Sequence, residues 1–379
     1  MSYALTEEQE LIQQNAREFA IEYVEGAVRT MEETEAYPEA LVQQMIEQDF
    51  LGIFLPDEYG GADAGFLSYS LIIEELSRVS GATASILIQH AAMAAYSIYA
   101  VGTTEQKKKY LPDLCQGKKM GSFAFCESGA APGAGKEKVT AVKDGDLYIL
   151  QGKKYYVGNA GFAGLYIVFA QTDPEAGHKG MSAFIVDADT AGIKVERMIS
   201  CMGLKGFPHA EVSFENVKVP AANLLGVQGD GFAVAEKAQA AGSIAEGAMV
   251  LGIAKAAMDD AIKYGKQRIQ FHRPISSFPA IQKMFADMAA NIHMLRLAVY
   301  DAANLVDQGA DFTAEAAMIK LLANRIGQNT LTDVVQIEGG YGYSQEMPAS
   351  RFFRDIRGAM RQSSSLDFPE RIIAGHVLN

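Results

Sequence analysis

The sequence predicts an α+β protein in three parts: an N-terminal helical domain over residues 1–120, a middle antiparallel β-barrel or β-sandwich domain over residues 121–228, and a C-terminal four-helix bundle over residues 229–379. Three observations carry this reading. An apolar period of three to four residues dominates up to about Met120. Short β-branched or aromatic runs broken by glycines and polar turns then replace it. After Gly226 and Gly231 the helical period returns and persists to the end.

At the N-terminus, Thr6-Glu7-Glu8-Gln9 is a capping-box pattern, and Leu11, Ile12, Ala16, Phe19, Ala20 and Tyr23 follow at helical spacing. The turn Pro56-Asp57-Glu58-Tyr59-Gly60-Gly61 separates this run from helical stretches over residues 71–77 and 86–101. Thr103-Thr104-Glu105-Gln106 offers a second cap, ahead of a basic helix ending near Leu111-Pro112. Residues 140–142 and 147–150 flank Asp144-Gly145, a two-residue hairpin signal. Residues 155–157, 165–170, 182–186, 193–197, 211–214 and 217–219 read as further short strands, with the regular turns of a barrel or sandwich. Ala254, Met258, Ile262 and Tyr264 belong to one long helix, residues 284–306 to a second and 314–335 to a third. Short polar connections between them predict antiparallel packing.

Composition narrows the class. Of 379 residues, 49% are hydrophobic and 21% charged, which gives a chain able to bury a large core. Asp+Glu 46 against Lys+Arg 33 leaves a net charge of −13, which argues against nucleic-acid binding. Residues 79–104 carry no charge, but Gly81, Thr83, Ser85, Gln89, His90, Ser97 and Gly102 interrupt them, so a buried helix is expected rather than a membrane span. The first residues show no basic segment followed by an apolar one, so no secretory signal is expected. Cys115, Cys126 and Cys201 have no CxxC spacing, which fits a reducing cytoplasm and no zinc site. Met284, Met288 and Met294 read as core, and Lys107-Lys108-Lys109 as a solvated helix face.

An ordered set of motifs then points to a family. Pro56-Asp57-Glu58-Tyr59-Gly60-Gly61, Gln106-Lys107-Lys108-Lys109-Tyr110-Leu111-Pro112 and Met202-Gly203-Leu204-Lys205-Gly206 resemble the acyl-CoA dehydrogenase family. So do Val217-Lys218-Val219-Pro220, Asn223-Leu224-Leu225-Gly226, Gln336-Ile337-Glu338-Gly339-Gly340-Tyr341-Gly342-Tyr343, Arg354-Asp355 and Ile373-Ala374-Gly375-His376. The resemblance spans essentially the whole chain. It implies FAD at the meeting of the β domain and the C-terminal bundle, with an acyl-CoA thioester in front of the flavin. A carboxylate takes the α-proton, the β-hydride goes to flavin N5, and electrons leave through an electron-transferring flavoprotein. It also implies a homo-oligomer, dimer or tetramer, in which a neighbouring subunit completes the FAD site.

Carried over residue by residue, the resemblance assigns Arg268 to a neighbour's FAD pyrophosphate, with Gln270 and Phe271 in the same segment, and Gln336, Gly339 and Gly340 to the approach from across the dimer. Backbone at Phe125, Cys126 and Gly129 is assigned to the flavin, as are Tyr156, Val157 and Gly158. The departures are equally informative. Pro132 replaces a serine on the CoA side, Gly158 lacks the hydroxyl placed near N5, and Pro279 stands for an adenine-side glutamine. Ser243 stands where an arginine meets the CoA moiety, on the substrate side. The catalytic glutamate falls on Ser363, which has no His or Lys beside it and is not expected to act as a base. A second base location used by some members falls near Gly242 and is not acidic either. His90 is a candidate acid or base with a structural alternative, and Cys126 a nucleophile only if its pKa is depressed.

Two classes of function remain open on these grounds. The first is an FAD-dependent oxidoreductase acting on the CH–CH group of an acyl-CoA with non-standard acid/base chemistry, either reducing an enoyl-CoA or desaturating an unusual, for example alicyclic, acyl-CoA. The second is a degenerate partner subunit that completes the FAD site of a homologous chain. A weaker third is non-redox elimination from an acyl-CoA.

Overall fold

The computed structural model describes residues 4–127, 139–359 and 367–378; Gly129, Pro132 and Ser363 lie outside the described residues. Helix α1 runs over residues 7–34 with a π-helical stretch at Ala20–Val24. It starts as its cap predicts: Thr6 Oγ1 accepts the Gln9 N–H, and Gln9 Oε1 accepts the Thr6 N–H. Helices α2 (Glu39–Glu47), α3 (Gly65–Val79), α4 (Gly81–Val101) and α5 (Thr104–Cys115) complete the N-terminal domain. The same cap opens α5 at Thr103, but Pro112 is carried inside the helix, which runs on to Cys115. Helix α4 is long and apolar enough to cross a membrane, yet 78% of that window is buried within the protein, so it is a core helix.

Strands β1 (Gly121–Ala124), β2 (Thr140–Asp144), β3 (Leu147–Gly158) and β4 (Leu165–Gln171) open the middle domain. Strands β5 (Met181–Asp187), β6 (Ile193–Met198), β7 (His209–Pro220) and β8 (Leu224–Leu225) complete one sheet in the order β6-β7-β3-β2-β4-β5-β8, with β1 beside β4. Pairing is antiparallel except for β1–β4 and a single β2–β4 bridge. The chain between β1 and β4 holds the β2–β3 hairpin and so supplies the long crossover that a parallel pair needs. That hairpin turns one residue later than Asp144-Gly145 suggests: Asp144 pairs with Leu147, and Gly145 (φ +59°) and Asp146 make the turn. Residues 155–157 are the end of the longer β3, and 211–214 and 217–219 are halves of β7 joined through Asn216.

The sheet folds over a core of its own while sharing a second one. Along β4, Tyr166, Val168 and Ala170 enter the β core, whereas Leu165, Ile167 and Phe169 enter the helical core. Burial on both faces explains why that run is apolar without alternation.

Helices α6 (Gly231–Gln267), α7 (Pro279–Asp307) and α8 (Thr313–Glu338) pack on one another. Helices α9 (Pro348–Ala359) and α10 (Asp367–Leu378) lie against α8. Because α3 packs on α6 and α7, the N- and C-terminal helices share a single apolar core.

Candidate active site

Strand β3 ends in a bulge. Its register with β7 slips between Lys154 and Val157, and Tyr156 takes φ +49°. A left-handed backbone at an aromatic residue costs about 1–3 kcal/mol and persists only where the surroundings impose it. The bulge re-aims the side chain: Tyr156 is 58% exposed and can offer a flat face to a planar ligand. Val157 is buried in the β core, so only its backbone is available. Gly158 has no room for a side chain, since a Cβ would meet Phe207 Cζ at 2.7 Å and Gln89 Cδ at 2.9 Å.

Phe125 and Cys126 leave β1 alongside this end of β3, where the Tyr155 N–H donates to Cys126 O at 2.9 Å. Lys154 fixes them from inside. Its buried Nζ donates to Phe125 O at 3.0 Å and to Glu127 Oε1 at 2.7 Å, and the same Glu127 oxygen accepts the Val139 N–H at 3.0 Å. Burial lowers the Lys154 pKa while the Glu127 carboxylate opposes that shift. Burial pushes the Cys126 thiol up, so it stays protonated near pH 7 and is not an activated nucleophile.

Helix α4 loosens to π-helical geometry over Ile88–Ala95. There His90 Nδ1 accepts the Gly121 N–H at 2.9 Å, which puts the ring proton on Nε2, an atom with no partner among the described residues. Burial of the whole ring draws its pKa down to about 4. This geometry favours the structural reading of His90, a neutral tie between α4 and β1. Ser243 is buried on α6. Beside it, a Cβ on Gly242 would lie 2.4 Å from Met93 Sδ, so the thioether fills the space where a carboxylate on this helix would stand. One turn further, Glu246 is buried and bound by the buried Lys320 ammonium, which also reaches Ala359 O at 3.5 Å.

A second group gathers at the far end of α6. Arg268 leads into a hairpin of Ile269–Gln270 against Arg273–Pro274, turned by Phe271 (φ +49°) and His272 (φ +65°), with Phe271 84% exposed. Arg268, Gln270, Gly339 and Gly340 line one cavity of about 550 Å³ together with Tyr264, Glu338 and Tyr341. Gly339 takes φ +63°, and nothing lies within 4 Å of a Cβ at Gly339 or Gly340, so their backbone is open to a ligand. A guanidinium fork beside open backbone suits a diphosphate. Gln336 is exposed on α8 but does not line this cavity, and no β-domain residue lines it either.

Lys154, Gln89 and Glu338 were not singled out by the sequence. For Gln89 the available signal was a polar residue set within an apolar run; Lys154 and Glu338 carried none. Glu338 is 1% exposed at the end of α8, and neither of its carboxylate oxygens has a hydrogen-bond partner among the described residues. Burial, reinforced by the Asp260 carboxylate, pushes its pKa from 4.5 up to about 7. A carboxyl group that holds its proton more tightly when folded contributes stability that is complete below about pH 4.5 and is lost as pH rises through about 7. The full span corresponds to about 3 kcal/mol. Glu338→Gln should remove that dependence. In urea denaturation, the stability difference between variant and unmodified protein should widen by about that amount from pH 4.5 to pH 8; an equal difference at both ends would show that Glu338 does not titrate in this way.

Comparison with known proteins places this geometry. Residues 6–118, 122–217 and 229–361 match the N-terminal, middle and C-terminal domains described for acyl-CoA dehydrogenase. An acyl-CoA dehydrogenase of Bacillus subtilis is 39% identical over 99% of both chains. A 3-(aryl)acrylate reductase of Clostridium sporogenes is 39% identical over 98% of this chain and 99% of its own. The solved butyryl-CoA dehydrogenase of Megasphaera elsdenii superposes with a TM-score of 0.96 at 34% identity, covering 100% of both chains.

Proposed function

The chain belongs to the acyl-CoA dehydrogenase family and is an FAD-dependent enzyme; from that premise we propose that it reduces the CH=CH bond beside a CoA thioester, with acid/base chemistry other than the usual glutamate. The observation that carries this reading is that neither expected place offers a base. Position 363 is a serine in the sequence, and Met93 fills the space beside Gly242. Taking an α-proton from a saturated thioester needs a strong, positioned base. In the reductive direction the α-carbon is itself basic once the β-carbon has been reduced, and a weak acid or water can protonate it. The similarity to a reductase of conjugated acrylates supports that direction.

FAD supplies the two-electron chemistry when bound. In this chain, Tyr156 would offer it an aromatic face, and the Phe125–Cys126 backbone, clamped by Lys154, would help hold the ring. The Arg268 cavity, which contains none of these residues, suits the diphosphate of a neighbouring copy's FAD, and this supports a dimer or tetramer. An electron-transferring flavoprotein is the electron partner in this reading.

The test is anaerobic stopped-flow. Photoreduced enzyme mixed with short or aryl-substituted enoyl-CoAs should be reoxidised at least about tenfold faster than the matching saturated acyl-CoAs reduce the oxidised enzyme, a barrier difference of about 1.4 kcal/mol. The opposite order would sink the reductive assignment.

A further inference from the structure

Every residue from 81 to 98 on α4 is buried except Gln89. The π-helical stretch that begins at Ile88 sets Gln89 and His90 against β1, and both use that position. His90 accepts the Gly121 N–H, while Gln89 Nε2 donates to Phe123 O at 3.2 Å. The neighbouring backbone is fixed as firmly. Ser122 Oγ donates to Gly158 O at 2.6 Å, and Asn159 Nδ2 donates to Ile86 O at 3.0 Å and to Gly121 O at 3.2 Å. Gln89 is therefore a partly exposed amide on a rigid floor.

Its position relative to Gly158 is the telling feature. A Cβ built on Gly158 would lie 2.7 Å from Phe207 Cζ and 2.9 Å from Gln89 Cδ, both closer than real Cβ atoms come, and 3.1 Å from Gln89 Cγ, a tight contact. The carboxamide, together with the Phe207 ring edge, occupies the volume that a side chain at 158 would need. Only its NH₂ end can meet the Phe123 carbonyl, so Oε1 is left as an acceptor.

We propose that Gln89 stands in for the absent side chain at position 158 and presents Oε1 as the hydrogen-bond acceptor facing the reactive edge of the flavin. This rests on the placement of FAD against Tyr156–Gly158 given above. The consequence follows from the chemistry of the ring. The reduced flavin carries an N–H at its reactive nitrogen and the oxidised flavin does not, so a group that can only accept favours the reduced form. A hydroxyl, able to donate or accept, would not discriminate in this way. Gln89 thus sets the flavin potential, and loses this function if the oxygen is removed.

Spectroelectrochemistry on the FAD-loaded protein tests this without turnover. Gln89→Leu keeps the volume and removes the acceptor. It should retain FAD, alter the visible flavin spectrum, and lower the reduced-to-oxidised ratio at a fixed dye potential by about three- to tenfold, the value of one hydrogen bond. Gln89→Met keeps the length of the side chain and also lacks the carboxamide oxygen; it should load FAD and give a ratio below that of the unmodified protein. If Gln89→Leu binds FAD with unchanged spectrum and ratio, the proposal is overturned. If Gln89→Leu loads too little FAD to measure, Gln89→Met decides: a ratio at or above that of the unmodified protein overturns the proposal, and one below it supports it. Tyr156→Ala separates the underlying reading. A flavin spectrum and FAD content untouched by that change would mean the ring is not on this face at all.

Discussion

Straight-chain saturated acyl-CoAs should reduce the flavin of the unmodified chain about 10²–10⁴-fold more slowly than they reduce the Ser363→Glu variant. That range is the usual contribution of a positioned general base. A serine hydroxyl with no His or Lys beside it in sequence cannot supply it near pH 7. Exchange of the substrate α-proton into heavy water should be slow in the unmodified chain to the same degree, because it depends on the same abstraction. Butyryl-CoA and octanoyl-CoA, followed by flavin bleaching and by mass spectrometry of the recovered thioester, report both quantities. His90 is not a ready substitute, since its ring is buried, holds the Gly121 N–H and has a pKa near 4. Rapid bleaching by the unmodified chain would place the base elsewhere, and Glu246 on α6 is then the carboxylate to replace first.

Lys154→Met should cost about 3–5 kcal/mol of folding stability, the usual penalty for removing one partner of a buried ion pair. The change leaves the Glu127 carboxylate, 13% exposed, without its cation, and the Phe125 carbonyl without its donor. Replacing Glu127 as well, in Lys154→Met/Glu127→Gln, removes the stranded charge and should recover more than half of the loss in urea denaturation. If the double variant is as unstable as the sum of the two single ones, the charges are not coupled, and Lys154 acts only by filling space.

Local chemistry was the most legible part of the sequence. Both threonine caps, at Thr6 and Thr103, are satisfied within four residues of chain and form as their patterns predict. The presence of the long helices was readable from period, but not their ends: residues 284–306 and 314–335 lie inside Pro279–Asp307 and Thr313–Glu338. What tertiary contact decides was not. The π-helical stretch at Ile88–Ala95 has no local signature; it accompanies the reach of Gln89 and His90 to β1, some 30 residues away. Pro112 reads as a stop but is accommodated within α5. Lys154 meets Glu127 across 27 residues, and Glu338 is perturbed by Asp260 on another helix, so neither pairing shows in the chain order. At the site, Arg268, Gln270, Gly339 and Gly340 come together in one cavity, whereas Gln336 stays outside it. The positive φ of Tyr156 arises from a register slip against β7 that no single strand encodes.

The two-sided burial of β4 has a consequence for how the molecule comes apart. Leu165, Ile167 and Phe169 belong to the same apolar core as Leu76 on α3 and Val250 on α6. The changes of secondary structure near residues 120 and 228 are therefore not thermodynamic seams. Peeling the helices away would bare a continuous greasy face of the sheet, and the unfolding of any one part withdraws support from the other two. The face proposed for the flavin and the bundle proposed for the diphosphate of a neighbouring copy's FAD share one cooperative fate, so a destabilising substitution in either is felt as loss of both.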